Sequence, residues 1–222
     1  MAKAISNTRE TGFSLVEMAV VIAVIGVLLG AISLGNSLYQ TASYTQIGSS
    51  FVRGWQVAYD SYLERTGDVP GSADDDGLID GTSCNADMLD EFLAAGVKLP
   101  QGRAEGENDR YVYQDSNGNP QAIQVCLRQV GDWAVPGERT GDFVERPRNV
   151  LVFRQLTPSL ARHLDSTIDG RIDARFGAFR RQGRHNTGSN SAWGLDDDDP
   201  MSGGQGDEAQ VDTLTALYVM RR

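Results

Sequence analysis

Glu17 is the only charge in "TGFSLVEMAVVIAVIGVLLGAISLG", residues 11–35. An ionised carboxylate at bilayer depth costs about 2.5–3.5 kcal/mol on insertion scales, so its surroundings must supply a partner. Two groups of aspartates suggest a second chemistry. In "DDDGLIDG", Asp74, Asp76 and Asp80 take ligand places of an oxygen-lined calcium loop, although Ser72 opens the frame and Ser83 closes it where a bidentate glutamate belongs. In "LDSTIDGRID", Asp165, Asp169 and Asp173 make a second near-fit that closes on Phe176. Calcium is thus a candidate ligand at either place, and turn-forming or helix-capping aspartates are the competing reading. Catalysis has less to stand on. His163 and His185 lack metal-ligand spacing, and no phosphate-cradling Gly-Lys-Ser/Thr element or nucleophile motif appears, so the expectation is a protein without enzymatic activity.

Arg171, Arg175, Arg180, Arg181 and Arg184 crowd a span that also holds Phe176 and Phe179. Charge mixed with stacking surface suits single-stranded nucleic acid, and equally suits docking on an acidic neighbour. The bulk charge favours docking: a net charge of −10 opposes general affinity for phosphate backbones and anionic lipid. Asp196 to Asp199 read as a solvated tip. Cys84 and Cys126 both follow the apolar run, where an exported domain meets an oxidising compartment, and a disulfide between them is expected over two unrelated thiols.

The elements that must carry these residues begin at the N-terminus. Lys3 and Arg9 precede the apolar run, which places the N-terminus in the cytoplasm. As a helix, Met18 to Leu34 would span roughly 25 Å, close to a bilayer core. No A-x-A-like cleavage site closes the run, so a discarded signal peptide does not fit.

With a basic leader, Gly12, Phe13, Glu17 and then "MAVVIAVIGVLL" in fixed order, the chain resembles type IV pilins and the pseudopilins of type II secretion. The resemblance implies a leader of residues 1–12, cut by a prepilin peptidase between Gly12 and Phe13, and methylation of the new Phe13 amine. It also implies a partner for Glu17: the Phe13 amine of a neighbouring subunit, a charge-assisted hydrogen bond that checks register. The alternative is a bond from Glu17 to its own N-terminus one helical turn away. Implied partners are identical or homologous pilin subunits in a helical filament, the prepilin peptidase and an inner-membrane assembly platform. The implied location is a single pass through the inner membrane with an exported head, then a surface pilus or a periplasmic pseudopilus. A pseudopilin, or a tip subunit for adhesion or DNA capture, is the alternative to a pilus subunit. The "LDSTIDGRID" segment also resembles the "iDDG" motif that follows a short helix near the C-terminal end of many pilin-like proteins.

Beyond the apolar run, Ile47, Phe51, Trp55, Ala58, Tyr59 and Tyr62 recur at three- and four-residue steps, which predicts a single helix over 13–65 stopped by Gly67 and Pro70. Residues 66–222 then form the head. "NADMLDEFLAAGV" reads as a short helix burying Met88, Phe92 and Leu93, with Asn85 or Asp87 near its N-cap. "DRYVYQD", "SNGNP" and "QAIQVCLRQ" read as strand, turn and strand, and "RNVLVFRQL" and "TLTALYVM" as two more strands. The fold class expected is α+β, a long helix packed on an antiparallel sheet. Residues 183–210, polar and with Trp193 their only aromatic, read as a surface loop.

Overall fold

The apolar residues after Ser14 wind into α1, Leu15–Gln46. A single π-helical segment, Ile47–Val52, joins it to α2, Arg53–Thr66. Gly67 ends α2 in the left-handed conformation, φ 82°, with its N–H on the Leu63 carbonyl, a stop that a residue with a Cβ adopts only under strain. The expected helix is therefore present over its described length, with a π segment that the sequence pattern does not announce. The computed structural model describes residues 14–73, 76–84, 86–104, 108–139, 141–186, 191–194 and 213–221, with backbone alone at 32–34, 36, 37, 82, 83 and 86. The chain divides into two units, Met1–Tyr39 and Gln40–Arg222.

In the second unit, β1 (Thr82–Ser83), α3 (Ala86–Ala94), β2 (Arg110–Gln114), β3 (Pro120–Pro136), β4 (Phe143–Leu156), α4 (Pro158–Asp169), β5 (Phe179–Arg181) and β6 (Leu214–Val219) follow α2. Among the described residues they build one antiparallel sheet in the order β1-β3-β4-β6-β5, with β2 also paired to β3. This is the α+β class expected. Residues with period two select the faces. Val125, Leu127, Leu151, Phe153 and Ala216 join Ile47, Phe51, Trp55 and Tyr59 in the main core, while the intervening Cys126, Val150, Val152 and Leu217 join Trp133 in a second cluster on the opposite face. The two faces need apolar residues in both phases of β3 and β4, which is why these strands lack clean alternation.

Met88 and Phe92 of α3 are buried as expected, but Leu93 is 57% exposed, so its place in the buried face is corrected. One helical step separates it from Phe92, enough to turn it off a stripe that is only wide enough for Met88 and Phe92. Gly96, φ 69°, lies just past the helix. The two strands of the 143–156 and 120–136 hairpin run further than their apolar cores predict, because backbone pairing continues through Trp133↔Arg146 to Pro136↔Phe143 after a register shift at Val130/Trp133. Asn85 lies outside the described residues.

Asn149, fully buried on β4, fastens four segments together. Its Oδ1 accepts from the Ile79 N–H, its Nδ2 donates to the Gly77 carbonyl and the Tyr59 hydroxyl, and its carbonyl accepts from the Met220 N–H. Burial raises the Tyr59 phenol to about 12, so it stays a neutral donor to the Arg221 carbonyl at 3.0 Å. Glu91 of α3 does similar work, accepting from Tyr62 and from the Gly71 N–H at 2.8 Å each. Loop 67–81 is thereby tied to helix, sheet and C-terminal strand.

Candidate functional sites: the N-terminal motif and the acidic turn of the head

In the first unit, Ser14 starts α1: its hydroxyl accepts from the Val16 N–H at 3.2 Å and its carbonyl from the Met18 N–H at 3.2 Å. Glu17 sits exposed in the first turn, where a carboxylate opposes the positive end of the helix dipole. Leu15, Val20, Val21 and Ile25, at successive angles around the axis, are all exposed. A helix apolar on every side has no water-facing side and needs an apolar environment or a bundle around it. Among the described residues no helix is long and apolar enough to cross a membrane. The spanning role expected for the first half of the helix is therefore not shown by the described helix. Gly12 and Phe13, the expected cleavage pair and methylation site, lie outside the described residues.

The disulfide expected between Cys84 and Cys126 is present and clamps the segment before α3 onto the centre of β3. Its 42-residue separation corresponds to about 4 kcal/mol by loop-closure arithmetic.

The acidic turn after α4 is the most constrained polar assembly of the head. Thr157 caps α4 and Pro158 opens it. Asp165 and Asp169, four residues apart, then project from the same face of the helix. Asp165 Oδ2 accepts from the Asp173 N–H at 2.7 Å and from the Trp193 indole N–H at 2.6 Å. Asp169 accepts from the N–H groups of Ala178 and Phe179 at 2.9 Å each, and a Cβ on Gly177 would fall 2.2 Å from its Oδ2. Asp173 is bonded to Arg175 through both the backbone N–H and the guanidinium. The three carboxylates fold loop 170–179 around themselves.

Burial pushes the Asp165 carboxyl up to about 7, with the neighbouring Asp169 adding to the shift against the two hydrogen bonds that favour the ion. Burial also opposes ionisation of Asp173, but Arg175 outweighs it and the net shift is downward.

The calcium reading of this turn finds no support in the geometry. Among the described residues no group of three or more His, Cys, Asp or Glu is placed to hold a metal ion; Asp165 Oδ2, Asp169 and Asp173 accept from backbone, indole and guanidinium donors, while Asp165 Oδ1 has no donor. In the other candidate set, Asp76 accepts from the Leu78 N–H and Asp80 from the Ala73 N–H, both turn bonds, while Asp74 lies outside the described residues.

Of the five arginines of the basic stripe, Arg180 is buried, Arg175, Arg181 and Arg184 are half-buried and Arg171 is exposed. Arg180 is buried, lies 4.1 Å from the Trp133 ring centroid and donates to the carbonyls of Ala134, Gly177 and His185. Arg181 donates to the Trp193 and Gly194 carbonyls and Arg184 to that of Ala192. Phe179 is buried, stacked on Trp193. Phe179, Arg180 and part of Arg181 and Arg184 are thus engaged within the head, while Arg171, Arg175 and Phe176 keep some exposure. The buried His185 meets Asp132 at 3.0 Å through Nε2 while its Nδ1 accepts from the Gly183 N–H, which leaves no ring nitrogen for a nucleophile. Burial opposes ionisation of Asp132, but the bond and charge of His185 together with the backbone and Asn186 donors outweigh it and hold the carboxyl below its ordinary value. Asp196 to Asp199 lie outside the described residues.

Trp193 corrects the surface-loop reading of its segment: it is 1% exposed and packs into the main core. The sequence reading also missed Asn149. An asparagine opening the apolar stretch "NVLVF" was the available signal, because a polar side chain next to a buried strand core must find partners.

An apolar N-terminal helix together with an antiparallel sheet, in an α+β arrangement, is consistent with the pilin-like class of fold. Residues 7–33 match the prokaryotic N-terminal methylation motif, the signal of type IV pilins and pseudopilins, and this supports the resemblance drawn from Gly12, Phe13 and Glu17. The chain matches no curated protein and no solved structure.

Proposed function

We propose that this chain is a structural subunit of a type IV pilus filament, without enzymatic activity. The observation that carries the reading is the methylation motif over residues 7–33, in which Glu17 stands exposed at the start of a helix apolar on every side. A prepilin peptidase cuts between Gly12 and Phe13 and methylates Phe13. The subunit waits in the inner membrane as a single pass with its head exported, then leaves the bilayer as its helix enters a bundle of like helices. There the Glu17 carboxylate meets the Phe13 amine of a neighbour, and a misplaced subunit leaves both charges unpaired in an apolar setting. The disulfide fits a head that matures outside the cytoplasm.

Mass spectrometry of the N-terminal peptide from sheared surface filaments, and from washed membranes in parallel, tests this. Abundant methylated Phe13 in the sheared fraction is the expected result. Methylated Phe13 confined to membranes favours a type II secretion pseudopilin or a scarce tip subunit, and an uncut Met1 terminus in both fractions overturns the pilin reading.

A further inference from the structure

A groove of about 330 Å³ on the head serves neither the N-terminal motif nor the acidic turn. Ser49, Ser50, Arg53 and Val57 form one wall, from the π-helix and α2; Lys98 and Pro100 face them. Two costly local features meet here. The π-helix is a rare conformation that recurs at functional sites. Gly54 sits inside α2, where glycine is unfavourable, because a Cβ there would stand 2.7 Å from the Pro100 Cβ. Pro100 thus lies directly on the helix backbone as the floor of the groove.

The lining has a definite chemistry. Neither the Arg53 nor the Lys98 side chain makes an ion pair or hydrogen bond among the described residues, and both are exposed. Ser49 and Ser50 donate their hydroxyl protons to the Gln46 carbonyl, so toward the groove they offer only lone pairs. Val57 is 55% exposed beside them. A ligand that satisfies all of these has a carboxylate for the cations, N–H groups for the serine oxygens and an apolar side chain for Val57 and Pro100. An acidic peptide segment has each of them.

We propose that the groove receives an acidic segment of a second copy of this chain, as a contact between subunits; this rests on the filament reading above. Charge complementarity argues for that occupant: with 30 acidic against 20 basic residues, a copy of the chain offers mainly carboxylates. The groove cannot pair with itself, since a two-fold contact would set Arg53 and Lys98 against their own equivalents. It meets a different surface of the next copy, and such a heterologous contact propagates into an open helical assembly where its rotation does not close a ring.

The test places a photoreactive residue at Val57 of the full-length chain in cells that assemble it, and maps the linked peptide by mass spectrometry. Expected is a dimer linked to an Asp- or Glu-containing peptide of the same chain, reduced at least tenfold by Arg53→Glu with Lys98→Glu and retained with Arg53→Lys and Lys98→Arg. Absence of the dimer, a link to lipid or to a different protein, or a dimer indifferent to charge reversal overturns the proposal. Methylation of Phe13 is read on the same samples. Methylated chain without the Val57 dimer removes the groove contact alone, whereas a dimer of unmethylated chain keeps the contact and removes the filament reading.

Discussion

Asp165→Asn separates the hydrogen-bonding role of the acidic turn from the cost of ionising a buried carboxyl. In the folded head Asp165 is fully buried and titrates near 7, against an ordinary 3.8. Between those values the native state holds a proton that the unfolded chain has already released, so stability declines as pH rises from about 4 to about 7 and is level above that. A shift of about 3 units corresponds to about 4 kcal/mol. One oxygen, Oδ2, accepts both the Asp173 N–H and the Trp193 indole, whereas Oδ1 has no donor. Asparagine keeps the working oxygen and puts an amide donor where Oδ1 was, close to Asp169. The variant should equal the parent at pH 4 and exceed it by about 4 kcal/mol at pH 8. Urea unfolding of the full-length chain in detergent, followed by fluorescence of Trp55, Trp133 and Trp193, reads this difference, all three indoles being buried in the head. His163, shifted down by its partial burial, and Asp132 and Asp173, also shifted down, impose opposite slopes, but they are present in both proteins and largely cancel in the comparison. A variant whose stability follows that of the parent from pH 4 to 8 would refute the reasoning, because the buried carboxyl would then carry no ionisation penalty.

Changing Cys84 and Cys126 together to serine should lower head stability by about 4 kcal/mol, seen as a lower urea midpoint that reductant no longer changes. Gly177→Ala meets both a positive φ of 95° and the Asp169 carboxylate, and should cost more than about 2 kcal/mol while speeding proteolysis within 170–179. Asn149→Leu removes three side-chain hydrogen bonds inside the core and strands the Ile79 N–H; a loss of about 3 kcal/mol in the same unfolding assay is expected. On the proposed filament role, Glu17→Val should leave cleavage and Phe13 methylation in place and abolish recovery of the chain in sheared filaments, as read by mass spectrometry of both fractions.

The N-terminal motif is legible in sequence because its information is local and ordered: basic residues, Gly12 and Phe13, one misplaced charge and an apolar run. The helix end at Gly67, α3 and the centres of the strands are legible for the same reason, since caps and periodicity act over a few residues. Leu93 shows where periodicity stops helping, because width of a buried stripe depends on what packs against it.

The acidic and basic segments read differently once folded. "LDSTIDGRID" offers the composition of a calcium loop, and the arginines from Arg171 to Arg184 that of a nucleic-acid surface. Which atoms those side chains reach is decided by partners distant in sequence: Trp193 approaches Asp165 from 28 residues away, and Trp133 lies under Arg180 from 47. Local composition supplies the charged group, but burial and the donors that face it determine whether it binds a ligand or closes a turn. The order of the N-terminal residues therefore carries the match to the methylation motif, while tertiary packing gave Asp165, Asp169, Asp173 and Arg180 partners within the head and left Arg53 and Lys98, inconspicuous in sequence, as exposed cations of a groove.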